Sequence, residues 1–308
     1  MSEPRVGDCV RVCVIGLGNM GSSLAQRLSS KGYQLVLYNR TSSKAVELSK
    51  ELGVEYAESP CKCAKKSDIL TIFVSDDEAL YDVLLQSSGI CGCVKDKTVL
   101  NMSTVTISTT VRAKNLVENA GGRYLEAPVF GSVSEVLEGK LLTLVAGDEQ
   151  YVHSVMPVLR DISKEVLYVG PVPNAMVLKL AVNQLNHFIA AGFAETLAFV
   201  ELYGVELELL RKVLERLWMK CIAEKFWRRM VEETAGVRFR LELAAKDLQC
   251  FVESARRMGL DTIATSGALQ RFQEGVASGY MGKDYTQIGK MLLDRGKRLR
   301  ELMSGGRF

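Results

Sequence analysis

The chain has 308 residues, with 39 Lys and Arg against 36 Asp and Glu; 47% of it is hydrophobic and 24% charged. This suits one large or two ordinary globular domains with a substantial core. The near-neutral balance excludes a protein built to hold nucleic acid. No apolar run reaches the about 20 residues of a membrane span, and the polar start MSEPRVGD lacks a signal-peptide core. The expectation is a cytoplasmic protein with no nucleic-acid or membrane partner.

In chain order, RVCVIG (11–16) is a short apolar strand, GLGNMG (16–21) a glycine turn, and 22–30 a helix stopped at Lys31-Gly32. QLVLYNR (34–40), ILTIFVS (69–75), KTVLNMST (97–104), RYLEAPV (123–129), LLTLVAG (141–147) and EVLYVG (165–170) read as further strands. Helical periodicity fills 42–52, the stretch DDEALYDVLL, 106–120 and 149–162. Strands alternating with helices predict parallel βαβ units in a doubly wound, Rossmann-type α/β sheet. After Pro171 and Pro173 the alternation stops, and only helices follow: 174–203, 206–218, 221–234, 240–258, 262–278 and 284–303. The predicted organisation is a dinucleotide-binding domain over 1–171 and an all-α domain over 172–308, opened by a helix of unusual length. Such a helix can serve as a spine and as an oligomer interface, so a homodimer or homotetramer is expected.

GLGNMG is Gly16-x-Gly18-x-x-Gly21, set between a strand and a helix as a pyrophosphate cradle requires. Gly16 permits the tight turn, Gly18 the close approach of backbone to ligand, and Gly21 the packing of helix on strand. Leu17, Asn19 and Met20 complete the turn whose amides and helix dipole face the pyrophosphate. Cofactor choice is read after the second strand, where NAD sites usually carry a carboxylate. Here Tyr38 is followed by Asn39, Arg40 and Thr41. An arginine attracts a 2′-phosphate that a carboxylate would repel, so NADP is favoured, with NAD possible.

The cysteines are Cys9, Cys13, Cys61, Cys63, Cys91, Cys93, Cys221 and Cys250. The two CxC pairs are more tightly spaced than the usual zinc ligands, so no metal site is expected. Reduced thiols are the expectation, with a disulfide among them as the alternative. Trp218, Phe226 and Trp227 read as an aromatic cluster for helix packing or a subunit interface.

Residues 176–188, MVLKLAVNQLNHF, place Lys179, Asn183, Asn186 and His187 in one sector of an apolar helix. Such a stripe is a solvated edge, a buried polar network or a catalytic face, and the spacing does not choose among them.

Taken in order, GLGNMG, NMSTV (101–105), EAPVFGSV (126–133), KLAVN (179–183) and KDL (246–248) resemble the β-hydroxyacid dehydrogenases, the family of 3-hydroxyisobutyrate dehydrogenase, tartronate semialdehyde reductase and the glyoxylate/succinic semialdehyde reductases. The resemblance covers essentially the whole chain. It implies Lys179 as the catalytic lysine, with Asn183 orienting substrate one turn later. It implies Thr104 and Ser103 as the wall beside the nicotinamide, with Val74 and Ser75 passing over the cofactor. Lys246 is implied to close over cofactor and substrate, and the loop of Phe130, Gly131 and Ser132 to hold the substrate. Three departures stand out. The family's DAPVSGG is EAPVFGS here, with Glu126 for Asp, Phe130 for Ser and Ser132 for Gly. Its DMSTV begins with Asn101, and Asn174 and Ala175 stand where glycines usually precede the lysine.

The implied reaction moves hydride between nicotinamide and a small 3-hydroxy acid, such as 3-hydroxyisobutyrate or L-serine, or the corresponding semialdehyde or glyoxylate. A lysine serves as the acid or base if its surroundings are apolar, and Leu178, Leu180, Ala181 and Val182 are its sequence neighbours. His187 is a candidate pocket contact, while Asn186 carries no role of its own. An imine reductase shares the architecture, but Lys179 argues against it. A 6-phosphogluconate dehydrogenase would need a longer helical half, and a non-catalytic NADP-binding module would not need the lysine.

Overall fold

The computed structural model describes residues 10–232 and 236–305. Cys9 and the start of the chain lie outside the described residues, as do 233 and 234, the last two residues of the helix expected over 221–234. The chain divides into two compact units, Met1–Lys179 and Leu180–Phe308. The division falls within the long helix, beyond the Pro171–Pro173 stretch at which the sequence pattern changes.

The first unit is built on nine strands: β1 (Arg11–Ile15), β2 (Gln34–Tyr38), β3 (Glu55–Tyr56), β4 (Ile69–Ile72), β5 (Thr98–Asn101), β6 (Arg123–Glu126), β7 (Val129–Phe130), β8 (Leu141–Val145) and β9 (Ser163–Tyr168). The helices among them are α1 (Asn19–Ser30), α2 (Ser42–Leu52), α3 (Pro60–Lys65), α4 (Asp77–Leu85), α5 (Ile107–Asn119), α6 (Val133–Glu138) and α7 (Glu149–Ile162). Six strands form a parallel sheet in the order β3-β2-β1-β4-β5-β6. Every residue of β4 and β5 is buried, as expected where helices cover both faces of a parallel sheet. The order reverses between β1 and β4, and ligands of such sheets bind in the crevice at that reversal.

Two expectations are corrected. The strands expected over 141–147 and 165–170 do not extend the main sheet; β8 and β9 form a separate three-stranded sheet with β7. β7 pairs antiparallel with β8, which itself runs parallel to β9. Period and apolarity mark a strand but not its partner, and the run through 129 is broken between Glu126 and Val129. The expectation of reduced thiols also fails for four cysteines, since Cys13 is disulfide-bonded to Cys63 and Cys61 to Cys93, with Cα separations of 5.8 and 5.6 Å, whereas Cys91 and Cys221 are free thiols.

Two short helices went unread although their signals are present. Ser59 caps α3 by accepting from the Lys62 amide, and Pro60 occupies the first turn. At α6 the pattern Ser132-x-x-Glu135 is a capping box.

The second unit is helical. It takes the larger part of α8 (Asn174–Leu202), followed by α9 (Leu207–Leu214), α10 (Lys220–Met230), α11 (Leu241–Arg257), α12 (Ile263–Gly275) and α13 (Ile288–Gly305). Its core gathers Phe193, Leu197, Phe226, Trp227, Leu248 and Phe272. The expected aromatic cluster is therefore divided. Phe226 and Trp227 pack against Phe193, whereas Trp218 is 79% exposed. No helix among the described residues is long and apolar enough to cross a membrane.

Candidate active site

The glycine turn shows why each glycine stands where it does. Gly16 has φ +92°, and a Cβ there would sit 2.1 Å from the Phe73 carbonyl oxygen. A Cβ on Gly21 would sit 1.9 Å from the Gly16 carbonyl oxygen. Both are demanded by the protein's own packing. Gly18 is different: it is exposed, its φ is −74°, and a Cβ would meet nothing within 4 Å. The fold itself makes no use of the missing side chain at Gly18, whereas a pyrophosphate approaching the start of α1 would. The turn thus fits a dinucleotide.

Asn39 braces that turn. Its Oδ1 accepts from the Leu17 amide at 2.9 Å and its Nδ2 donates to the Thr41 carbonyl at 3.0 Å. Leu17 is buried, Met20 packs on the first core, and Asn19 is exposed beside Gly18. Arg40 and Thr41 are exposed where β2 ends, with no carboxylate between Tyr38 and Lys44.

The loops after β4 and β5 are stitched together. Ser103 Oγ accepts from the Val74 amide at 2.9 Å and donates to the Ile72 carbonyl at 3.1 Å. Ser103 is 2% exposed, so its hydroxyl holds backbone. Ser75 is exposed and Thr104 half-buried. Asp77 was not singled out from the sequence. Its carboxylate accepts from the Thr106 amide and hydroxyl and from the Thr109 hydroxyl, which fixes α4 to the start of α5.

Lys179 is buried. Its Nζ donates to the Val129 carbonyl at 2.8 Å and lies 4.2 Å from the centre of the Phe130 ring. Of the four sequence neighbours expected to surround it, only Leu180 is buried. Leu178, Ala181 and Val182 are exposed, because consecutive helical residues point 100° apart; the apolar surroundings come from the strand β7 instead. In the same loop, Gly131 has φ +142°, and a Cβ there would be 2.5 Å from Leu141 Cδ2. Ser132 donates from both its amide and its hydroxyl to Glu135, at 2.7 and 2.8 Å. The Ser132 hydroxyl is thus engaged with Glu135 at the start of α6.

In the second unit, Asn183 Nδ2 donates to Asp247 Oδ2 at 2.6 Å, and Lys246 Nζ pairs with Asp247 Oδ1 at 2.7 Å. Asp247 is 1% exposed, so one buried carboxylate orients both residues. His187 lies in an aromatic cage, stacked on Phe239 at 5.7 Å and edge-on to Phe272 and Tyr285. Asn186 Nδ2 lies 3.3 Å from both His187 Nδ1 and the Tyr285 hydroxyl.

Residues 11–170 match the family model described as the NAD binding domain of 6-phosphogluconate dehydrogenase. Residues 174–292 match the model described as NAD-binding of NADP-dependent 3-hydroxyisobutyrate dehydrogenase. The chain belongs to the β-hydroxyacid dehydrogenase family. It is accordingly an NAD(P)-dependent oxidoreductase acting on CH–OH groups. Among its relatives, the mitochondrial 3-hydroxyisobutyrate dehydrogenase of Mus musculus is 30% identical over 90% of this chain and 85% of that protein. The chloroplastic glyoxylate/succinic semialdehyde reductase 2 of Arabidopsis thaliana is 27% identical over 91% and 78%. In fold, the chain is similar to the 3-hydroxyisobutyrate dehydrogenase of Mycobacterium tuberculosis solved with L-serine, with a TM-score of 0.80 at 20% identity over 92% of this chain and 99% of that one.

Proposed function

We propose that this dehydrogenase prefers NADP, acts on a small 3-hydroxy acid of the 3-hydroxyisobutyrate or L-serine kind or on the matching semialdehyde or glyoxylate, and uses Lys179 as its general acid and base. The observation that carries the reading is the setting of Lys179: a buried ammonium on a carbonyl and the face of an aromatic ring. Both neighbours favour the charged form. An ammonium so held polarises a substrate carbonyl and hands over a proton as the alkoxide forms. In oxidation the neutral amine takes that proton back.

NADP would lie along the glycine turn, against Gly18 and Asn19, with Arg40 and Thr41 at its 2′-phosphate. The bound nicotinamide supplies or accepts the hydride. Ser103 holds the Val74 loop in place for the ring, with Ser75 and Thr104 beside it. Asn183, one helical turn after Lys179 and anchored by Asp247, would hold a substrate oxygen. Phe130 adds an apolar ring, which supports a short, partly apolar acid over a polyhydroxy one. Leu185, Phe188 and Phe199 on α8, and Tyr203 just after it, have exposed apolar side chains, which supports a homodimer or homotetramer.

The test is steady-state turnover of NADPH with succinic semialdehyde, glyoxylate and a cyclic imine, and of NADP with 3-hydroxyisobutyrate, L-serine and glycerate. Turnover of a hydroxy acid or its carbonyl partner, without the imine, is expected. The Arg40→Ala variant should lose roughly ten- to a hundred-fold in kcat/KM for NADPH and little for NADH. Equal use of both coenzymes by the unaltered protein would remove the NADP preference.

A further inference from the structure

Glu126 is a carboxyl group in a place where the reaction as described has no use for one. It ends β6 and is fully buried. Its Oε1 accepts from the Thr110 hydroxyl at 2.7 Å, and its Oε2 from the Met176 amide at 3.4 Å, with the Ala175 amide contributing. These amides belong to the first turn of α8, directly before Lys179. The orphan amides of a helix start need acceptors, and a carboxylate also complements the dipole there.

The other end of the arrangement reaches the loops that flank the nicotinamide side. Thr110 gives its proton to Glu126, so it accepts from the Tyr124 hydroxyl, 3.0 Å away. Tyr124 in turn accepts from Asn101 Nδ2 at 2.9 Å, and Asn101 Oδ1 accepts from the Ser103 amide at 3.1 Å. Ser103 Oγ accepts from the Val74 amide. One directional chain of hydrogen bonds therefore runs from the loops after β4 and β5 to the helix that presents Lys179. It is buried throughout its middle, where such bonds polarise one another. Two of the departures read from the sequence, Asn101 and Glu126, are both members of it.

We propose that Glu126 is a positioning residue for the reaction, fixing the first turn of α8 and hence Lys179 in register with the loops that flank the cofactor. The proposal rests on Lys179 being the acid and base. The direction of the chain depends on an ionised acceptor at its end. A proton on Glu126 Oε1 would make it a donor, and Thr110 would have to turn and accept. Burial pushes the Glu126 carboxyl up to about 7, while the bonds from Thr110, Met176 and Ala175 hold it down. The switch therefore falls near neutral pH. Around it, β6 presents Tyr124, whose hydroxyl is raised by burial and stays neutral. On the first two turns of α8 the charged residue is Lys179; α5 and β5 present Thr110 and Asn101, and Ala146, just past β8, bridges to Glu126.

The experiment follows kcat against pH with NADPH and succinic semialdehyde, and the Lys179 side-chain resonance by NMR over the same range without cofactor. In the unaltered protein kcat should rise through a limb near pH 7, and the Lys179 resonance should show an inflection there. Glu126→Gln should abolish both and lower kcat about ten- to a hundred-fold at high pH, as small misplacements do, with KM for NADPH within about two-fold. Thr110→Val removes a bond that favours the carboxylate, so its limb and inflection should move to higher pH. Glu126→Asp should recover a limb. An inflection that survives in Glu126→Gln, or one that does not move in Thr110→Val, overturns the proposal. If Lys179→Ala keeps its turnover, the assignment of the lysine falls instead. A dead Lys179→Ala beside an unaltered limb in Glu126→Gln overturns this inference alone.

Discussion

Lys179 and His187 stand eight residues apart on one helix, and both are buried, at 9% and 2% exposure. Their neighbours differ in kind. Lys179 has a carbonyl and one ring face, and it stands on a turn held by the buried Glu126. His187 has three aromatic rings and an asparagine among its neighbours. Burial alone therefore does not separate the group proposed as acid and base from one read as packing; the company each keeps does. A cation with its charge held in place is set up to move a proton. An imidazole enclosed by rings is expected to serve packing before substrate contact.

The contrast is open to direct attack, and its largest arm is Lys179→Ala. Turnover should fall about a hundred- to ten-thousand-fold, the scale of a lost acid or base, while the thermal midpoint and NADPH affinity stay close to the original. His187→Ala should do the reverse. Emptying a packed aromatic cage should cost about 2–4 kcal/mol of unfolding free energy by denaturant titration, with kcat within a few-fold. A histidine variant that folds normally but has lost turnover would put His187 on the catalytic face after all.

Glu126→Gln tests the support beneath the lysine through stability. The folded-state carboxyl is raised from 4.5 to about 7. Its protonated form thus contributes stability fully present below about 4.5 and lost as pH rises through about 7. Glutamine avoids that loss, so the variant should be more stable to unfolding than the original at pH about 8, by up to about 3 kcal/mol. The advantage should fade towards pH about 5, as the native carboxyl becomes protonated. An advantage independent of pH would mean the carboxyl titrates normally. The smallest effect is expected at Gly18→Ala, which should fold as before and weaken NADPH by about ten-fold. Gly16→Ala, facing the Phe73 carbonyl, should instead destabilise the fold.

The Rossmann-type half was legible because its signals are local. Alternating apolar strands, glycine stops and the turn at 16–21 are each written within a few residues. The limits 42–52 and 149–162 coincide with α2 and α7 for the same reason. Sheet membership was not legible. β8 resembles the main strands in pattern, and nothing in that pattern tells that it pairs with β7 and β9 and not with the main sheet. The lysine was legible as a family motif, but its surroundings were not, since Val129 and Phe130 lie 50 and 49 residues before it. Asp77 and the chain through Tyr124 and Thr110 went unseen for the same reason. Each is an ordinary polar residue in sequence and becomes informative only when the fold brings its partner within 3 Å or so.

The disulfide between Cys13 and Cys63 spans 50 residues and encloses the glycine turn, Asn39 and Arg40. Topologically, this stretch of chain is a closed ring even when the protein is unfolded. The segment proposed to select the coenzyme is thus denied much of the disorder available to an open chain, a restriction worth about 4 kcal/mol for a ring of this size. Where thiols are kept reduced the ring opens and that share of stability is withdrawn, while the folded geometry of the turn has no need to change. The durability of the glycine-turn region is therefore a property of the medium as much as of the sequence.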